Sequence, residues 1–144
     1  MSSSQIRGLV AAGEMTKAAK FLGSPFMLEG EVLHGDKRGR TLGMPTANVV
    51  PDDSLVAPGH GVYAGWAHGY PAAINVGVRP TFGTGRSLLV EPYLIGFDGD
   101  LYGETLRIAF VDRMRGERRF DSVDALVSQM QADVEQAGAL LQRG

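Results

Sequence analysis

"GVYAGWAHGYPAAINVGV", residues 61–78, decides the fold. Two β-type runs, "GVYAGWA" (61–67) and "AAINVGV" (72–78), flank a connection short enough to be a hairpin. The same texture of short apolar runs separated by glycine spreads outward from this pair. "FMLEGEVL" (26–33), "TANVV" (46–50), "LLVEPYLIGF" (88–97) and "TLRIAFV" (105–111) bring the total to about six strands between Phe26 and Val111. Six strands in fewer than ninety residues with no helix between them exclude a doubly wound parallel sheet. The alternatives are an antiparallel barrel or a sandwich. Glycine fits this reading: 20 of 144 residues, spread along the chain, supply the tight turns that short strands need.

Helices are expected on both flanks. In "SSQIRGLVAAGEMTKAAKFL" (3–22), Ile6, Leu9 and Val10 form one apolar face and Met15, Ala18, Ala19 and Leu22 another, with Gly13 as the break. Near the end, Val123, Leu126, Val127, Met130, Val134, Ala137 and Leu141 follow one helical stripe, with Asp121 as the expected N-cap and Asp124 in the first turn. That stripe needs the β-structure to cover it, so this helix is expected to be scaffold.

Composition narrows the function. The formal net charge is −2 and the pI about 5.9, against a protein whose main task is gripping nucleic-acid backbone. No cysteine is present, so disulfides, thiolate catalysis and Cys-ligated zinc are excluded, and a cytoplasmic home is expected. His34, His60 and His68 lack metal-ligand spacing. No apolar run approaches the roughly 18–20 residues of a membrane span.

The chemistry-bearing stretch is "HGDKRGRTLGMPTAN" (34–48). Gly35, Gly39 and Gly43 recur every four residues, with Lys37, Arg38 and Arg40 among them. Glycines let backbone N–H groups approach an anion, and the cations attract it. This is no Walker loop, and on composition alone a solvated hairpin loop reads equally well. Pro45 suits a strand start rather than a central ladder position. Thr46 and Asn48, two residues apart on an extended strand, face one side. A hydroxyl and an amide oxygen there suit a Mg²⁺ held mainly by phosphates; satisfying turn backbone groups is the plainer alternative. Glu91, between Val90 and Pro92, is a candidate base for an acceptor hydroxyl facing the barrel mouth, or an ion-paired surface residue. "RMRGERRF" (113–120) reads as a charged turn able to fold over a ligand.

Taken together, "GRTLGMPTAN", "GVYAGWA", "INVGVRPTF", "VEPYLIGFDGDLYGETLRIAFV" and "MRGERRFDS" resemble the riboflavin kinase family, in particular the C-terminal kinase module of the bifunctional bacterial riboflavin kinase/FMN adenylyltransferases. The resemblance runs from about Phe26 to Leu141. It implies a mainly β fold, a six-stranded antiparallel barrel with short N-terminal helices and a long C-terminal helix. It also implies transfer of the ATP γ-phosphate to the ribityl 5′-hydroxyl of riboflavin, giving FMN and ADP. By the same resemblance Glu91 is the catalytic base, and Thr46 and Asn48 contact Mg²⁺ and the ATP phosphates, Asn48 taking part in catalysis. Gly35, Lys37, Arg38, Gly39, Arg40, Gly43 and Pro45 shape the nucleotide loop. Arg115 helps enclose flavin and nucleotide. Pro92 departs from the pattern and is expected to bend its strand, at an edge or bulge, and to shift Glu91.

"SSSQIR" resembles the closing motif of the adenylyltransferase module. Residues 1–24 are thus expected to be a helical stub of a junction with an N-terminal FMN adenylyltransferase domain, and 25–144 the kinase domain, unable to make FAD by itself. The partners are then riboflavin, FMN, ATP and ADP, with no nucleic acid and no membrane. Two rival readings remain from the sequence: a flavin- or nucleotide-binding module without turnover, and an oligonucleotide-binding barrel. Net acidity, a single Trp and 8% aromatics weigh against the latter.

Overall fold

The computed structural model describes residues 3–33, 47–51, 57–81, 85–97 and 99–143. Two short helices, α1 (Ser3–Ala11) and α2 (Met15–Leu22), precede six strands: β1 (Phe26–Leu33), β2 (Asn48–Pro51), β3 (Gly61–Ala67), β4 (Tyr70–Thr81), β5 (Gly85–Leu94) and β6 (Thr105–Arg115). A long helix, α3 (Val123–Arg143), ends the chain. The strands close into a barrel in the order β1-β2-β5-β4-β3-β6, with every neighbouring pair antiparallel. Of barrel and sandwich, the sequence's two alternatives, the closed barrel is the outcome.

Alternation along each strand sends one set of side chains inward. Leu28, Val32, Val49, Tyr63, Ile74, Val76, Val90, Leu106, Ile108 and Phe110 fill the interior and are nearly inaccessible to water. Tyr63 meets Phe110 edge-on, ring centroids 5.1 Å apart and planes at 88°. Gly65 is needed beside them: a Cβ there would lie 2.0 Å from the Ala109 carbonyl oxygen, so β3 and β6 approach closely only because it has none. The β3–β6 register shifts on both sides of the Tyr63–Ala64 pair.

The helical flanks close the barrel. Val10, Met15 and Ala18 belong to the same buried cluster as the strand residues. The break between α1 and α2 is at Gly13, which takes φ +79°. Leu22, expected on the apolar face, is exposed, because α2 ends at Gly23 in a left-handed cap. Across the outer face of β3 and β4, α3 packs Ala137 and Leu141 onto Ala64 and Ala73, whose small side chains let the helix settle close to the sheet. Its N-cap is Ser122, not Asp121: the Ser122 Oγ accepts from the Ala125 N–H at 3.1 Å.

The rim at the ends of β1, β3 and β5 carries the turn built by "DLYG" (100–103). There the Asp100 carboxylate accepts from the Tyr102 N–H at 2.9 Å, Leu101 is buried, and Gly103 takes φ +83° while donating to the Val32 carbonyl. This motif is explained by local turn chemistry.

Candidate active site on the outer wall of β2, β5 and β4

Residues 35–46 contain most of the nucleotide-loop expectations. Gly35, Lys37, Arg38, Gly39, Arg40, Gly43, Pro45 and Thr46 lie outside the described residues. Asn48, Glu91 and Arg115 lie within them.

Asn48 and Glu91 are brought together by register. Val49 pairs with Val90, and the Ala47 N–H donates to the Pro92 carbonyl at 3.1 Å. Asn48 therefore stands opposite Glu91 on the neighbouring strand. Because 47/92 is a hydrogen-bonded pair, 48/91 is a non-hydrogen-bonded one, the kind in which Cα atoms lie about 4.5 Å apart and side chains crowd closest. Directly opposed residues face the same side of the sheet. Val49, Val90 and Pro92 point into the core, so Asn48 and Glu91 stand on the outer wall, both half-buried. The sequence reading that placed Glu91 facing the barrel mouth is thus corrected: the strand alternation turns it to the wall, on the same side as Asn48.

On the other flank, Asn75 of β4 is paired with Glu91 and is exposed. The row Asn48–Glu91–Asn75 thus crosses three adjacent strands. Asn75 was not singled out from sequence; strand alternation within "INVGV" marks it as an outward polar residue, but only the β4–β5 register reveals its neighbour.

Pro92 does not bend the strand. The β4–β5 pairing runs without a shift from Ala72↔Leu94 to Thr81↔Gly85. The Ile95 N–H to Pro71 carbonyl bond sets the alternation in which Glu91, not Pro92, directs its backbone groups toward β4. The donor that proline lacks would face the Ala47 carbonyl, just before β2 begins, so a single bond is given up at the very end of the β2–β5 ladder. Its ring is fully buried opposite Ile74.

The charged stretch 113–120 is partly strand. Arg113, Met114 and Arg115 finish β6, and Arg115 is fastened to α3. Its Nε and Nη2 donate to Asp133 Oδ1 and Oδ2 at 2.9 and 2.7 Å, and Nη1 donates to the Gly116 carbonyl at 2.9 Å. The Asp133 side chain is 6% exposed. Gln129 Nε2 donates to Asp133 Oδ1 at 2.9 Å, and Arg118 Nη1 donates to Gln129 Oε1 at 2.8 Å, while the Arg118 guanidinium lies over the Phe120 ring. Between these anchors Glu117 turns the other way. A Cβ on Gly77, two residues along β4 from Asn75, would lie 2.7 Å from Glu117 Oε1. Glu117 Oε2 is 3.8 Å from His60 Nδ1.

Titration is perturbed at Tyr63, away from this wall. Burial raises its hydroxyl above the usual 10.0, and the adjacent Arg113 guanidinium partly offsets the effect. Among the described residues no group of His, Asp and Glu is arranged to hold a metal by itself. No described helix is long and apolar enough to cross a membrane.

The fold and wall define a barrel domain whose candidate site lies on the outside of three adjacent strands, not in the lumen. A family model described as "Flavokinase: Riboflavin kinase" matches residues 22–141, and the chain belongs to the riboflavin kinase family. It is 38% identical over 143 residues to the bifunctional riboflavin kinase/FMN adenylyltransferase of Bacillus subtilis, covering 95% of this chain and 45% of that protein. A crystal structure from Streptococcus pneumoniae described as a macrolide-efflux protein superposes with TM-score 0.86 at 41% identity, covering 93% of this chain and 45% of that one. Riboflavin kinase from Trypanosoma brucei superposes with TM-score 0.62 at 30% identity, covering 82% and 80%. The chain spans about half the length of the curated relatives it matches.

Proposed function

We propose that this chain transfers the γ-phosphate of ATP to the ribityl 5′-hydroxyl of riboflavin, giving FMN and ADP. Family membership supports the reaction, and the opposed pair Asn48–Glu91 is the observation that carries the site. The Glu91 carboxylate takes the proton of the attacking hydroxyl as its oxygen bonds to the γ-phosphorus. The bond from that phosphorus to the β–γ bridging oxygen breaks, and ADP leaves. The Asn48 amide, one strand away, orients the transferring group.

The donor types suit Mg²⁺. A hard cation held mostly by phosphate oxygens needs only neutral oxygen ligands from the protein, and the Asn48 carbonyl with the Thr46 hydroxyl provides that kind. Bound there, Mg²⁺ would neutralise phosphate charge. The backbone of Gly35, Gly39 and Gly43, with Lys37, Arg38 and Arg40, would cradle the triphosphate beyond Pro45.

The 113–120 segment closes the acceptor side, with Arg115 acting through its tie to α3. Residues 1–24 would come from a junction with a preceding FMN adenylyltransferase domain, and adenylyl transfer is not proposed for this chain. The test is direct: purified chain with riboflavin, ATP and Mg²⁺, the product separated by chromatography and read by flavin fluorescence. FMN formation that stops on chelation is expected. Riboflavin recovered unchanged would refute the reading.

A further inference from the structure

We propose that Asp133 is a positioning residue for the acceptor: through Arg115 and Gln129 it holds the 115–120 segment so that Glu117 stands over the wall carrying Glu91. This rests on the kinase reading above and deepens it.

α3 carries one residue out of pattern. Asp133 occupies the buried stripe of that helix between Met130 and Ala137, where the sequence pattern calls for an apolar residue. A carboxylate is retained there only with full compensation, and it has it: two bonds from Arg115 and one from Gln129. All these partners lead to one place. Arg115 is the last residue of β6, and Gln129 passes the restraint on to Arg118. The segment is thus pinned to α3 on both sides of Glu117, whose carboxylate is left facing Gly77 and His60.

Strand polarity places that carboxylate on the acceptor's side of Glu91. Asn48 opens β2, so on the kinase reading the phosphates it orients lie at the β2 start. Along β4, Gly77 lies beyond Asn75 in the opposite direction, toward the far rim. Diagonal same-face neighbours on paired strands sit about 7–8 Å apart, the span of a short polyol segment between Glu91 and the Gly77 position. A carboxylate held there accepts hydrogen bonds from the hydroxyls of a polyhydroxylated alkyl chain such as the ribityl group. Gly77 is the aperture: with a side chain, Glu117 could not take its place.

Steady-state FMN formation, varying riboflavin and ATP separately, tests this. Asp133→Asn and Glu117→Gln are each expected to raise KM for riboflavin on the order of tenfold, the loss of a charge-assisted contact, with KM for ATP unchanged. Asp133→Asn strands the Arg115 charge and could unfold the protein, so Gly77→Ala supplies an independent perturbation. Its backbone φ lies outside the left-handed region and the added Cβ meets only the tip of Glu117, so the fold survives while Glu117 is displaced. It should reproduce the riboflavin-specific rise. An unchanged riboflavin KM in folded Asp133→Asn, in Glu117→Gln or in Gly77→Ala overturns the proposal. So does a parallel change in both KM values and kcat, the mark of a merely structural role. If the wild-type chain makes no FMN, the kinase reading fails, and riboflavin fluorescence titration decides the inference separately: weaker binding by the same variants supports it. Equal binding by wild type and variants, or no binding by the wild type, overturns it.

Discussion

Replacing Tyr63 by phenylalanine removes one oxygen from the floor of the barrel and leaves the ring in place. In the native chain the Tyr63 hydroxyl donates to the Gly59 carbonyl at 2.6 Å, and the Gly59 N–H in turn donates to the Val10 carbonyl at 3.0 Å. The hydroxyl is therefore a link between β3 and the helix pair that plugs the barrel. Because phenylalanine retains the edge contact with Phe110, no cavity opens, and the loss is a hydrogen bond plus a carbonyl left partly desolvated, about 1–2 kcal/mol. For a chain of this size that corresponds to a fall in Tm of about 3–8 °C. The pH dependence gives a second handle. Burial raises the Tyr63 pKa above 10.0, so the folded state holds this proton more tightly than the unfolded state. The resulting stability is fully present below the unfolded value and is lost as pH rises through the folded one. Thermal unfolding followed by circular dichroism from pH 7 to 11 should show an alkaline loss in the wild type that Tyr63→Phe lacks. A variant with the same Tm and the same alkaline limb would refute the link.

Pro92→Val adds a backbone donor facing residue 47 without altering the β4–β5 register, so FMN formation should stay within about threefold of wild type; a hundredfold drop would mean that the proline sets Glu91. Ser122→Ala should cost about 1 kcal/mol by thermal denaturation, as the lost N-cap of α3, whereas Asp121→Ala should cost under about 0.5. Gly65→Ala forces a Cβ to 2.0 Å from the Ala109 carbonyl oxygen and should lower stability by at least about 1–3 kcal/mol in urea unfolding.

The strands most legible in the sequence were those bounded by glycine or proline. β1 and β3 begin and end where the residue pattern placed them. β5 was misplaced because "IGF" is apolar yet Gly96 turns at φ +83°, ending the strand at Leu94. β6 runs four residues past the apolar "TLRIAFV" because Arg113 and Arg115 find partners on distant segments, the His60 carbonyl and Asp133. No local window contains that information. The same holds for the site. Glu91 and Asn48 were recognisable singly, but their juxtaposition depends on a β2–β5 pairing across more than forty residues of chain. Asp133 does carry a local signal, a carboxylate on an apolar helical stripe downstream of an arginine-rich turn.

In the proposed mechanism Glu91 takes the acceptor proton on a wall it shares with Asn48. Glu91→Gln keeps the shape of the side chain and removes its basicity, so single-turnover and steady-state FMN formation are the decisive measurement. A fall in kcat of about 10²–10⁴ is expected, with riboflavin and ATP still bound. Turnover within a few-fold of wild type would remove Glu91 from that role.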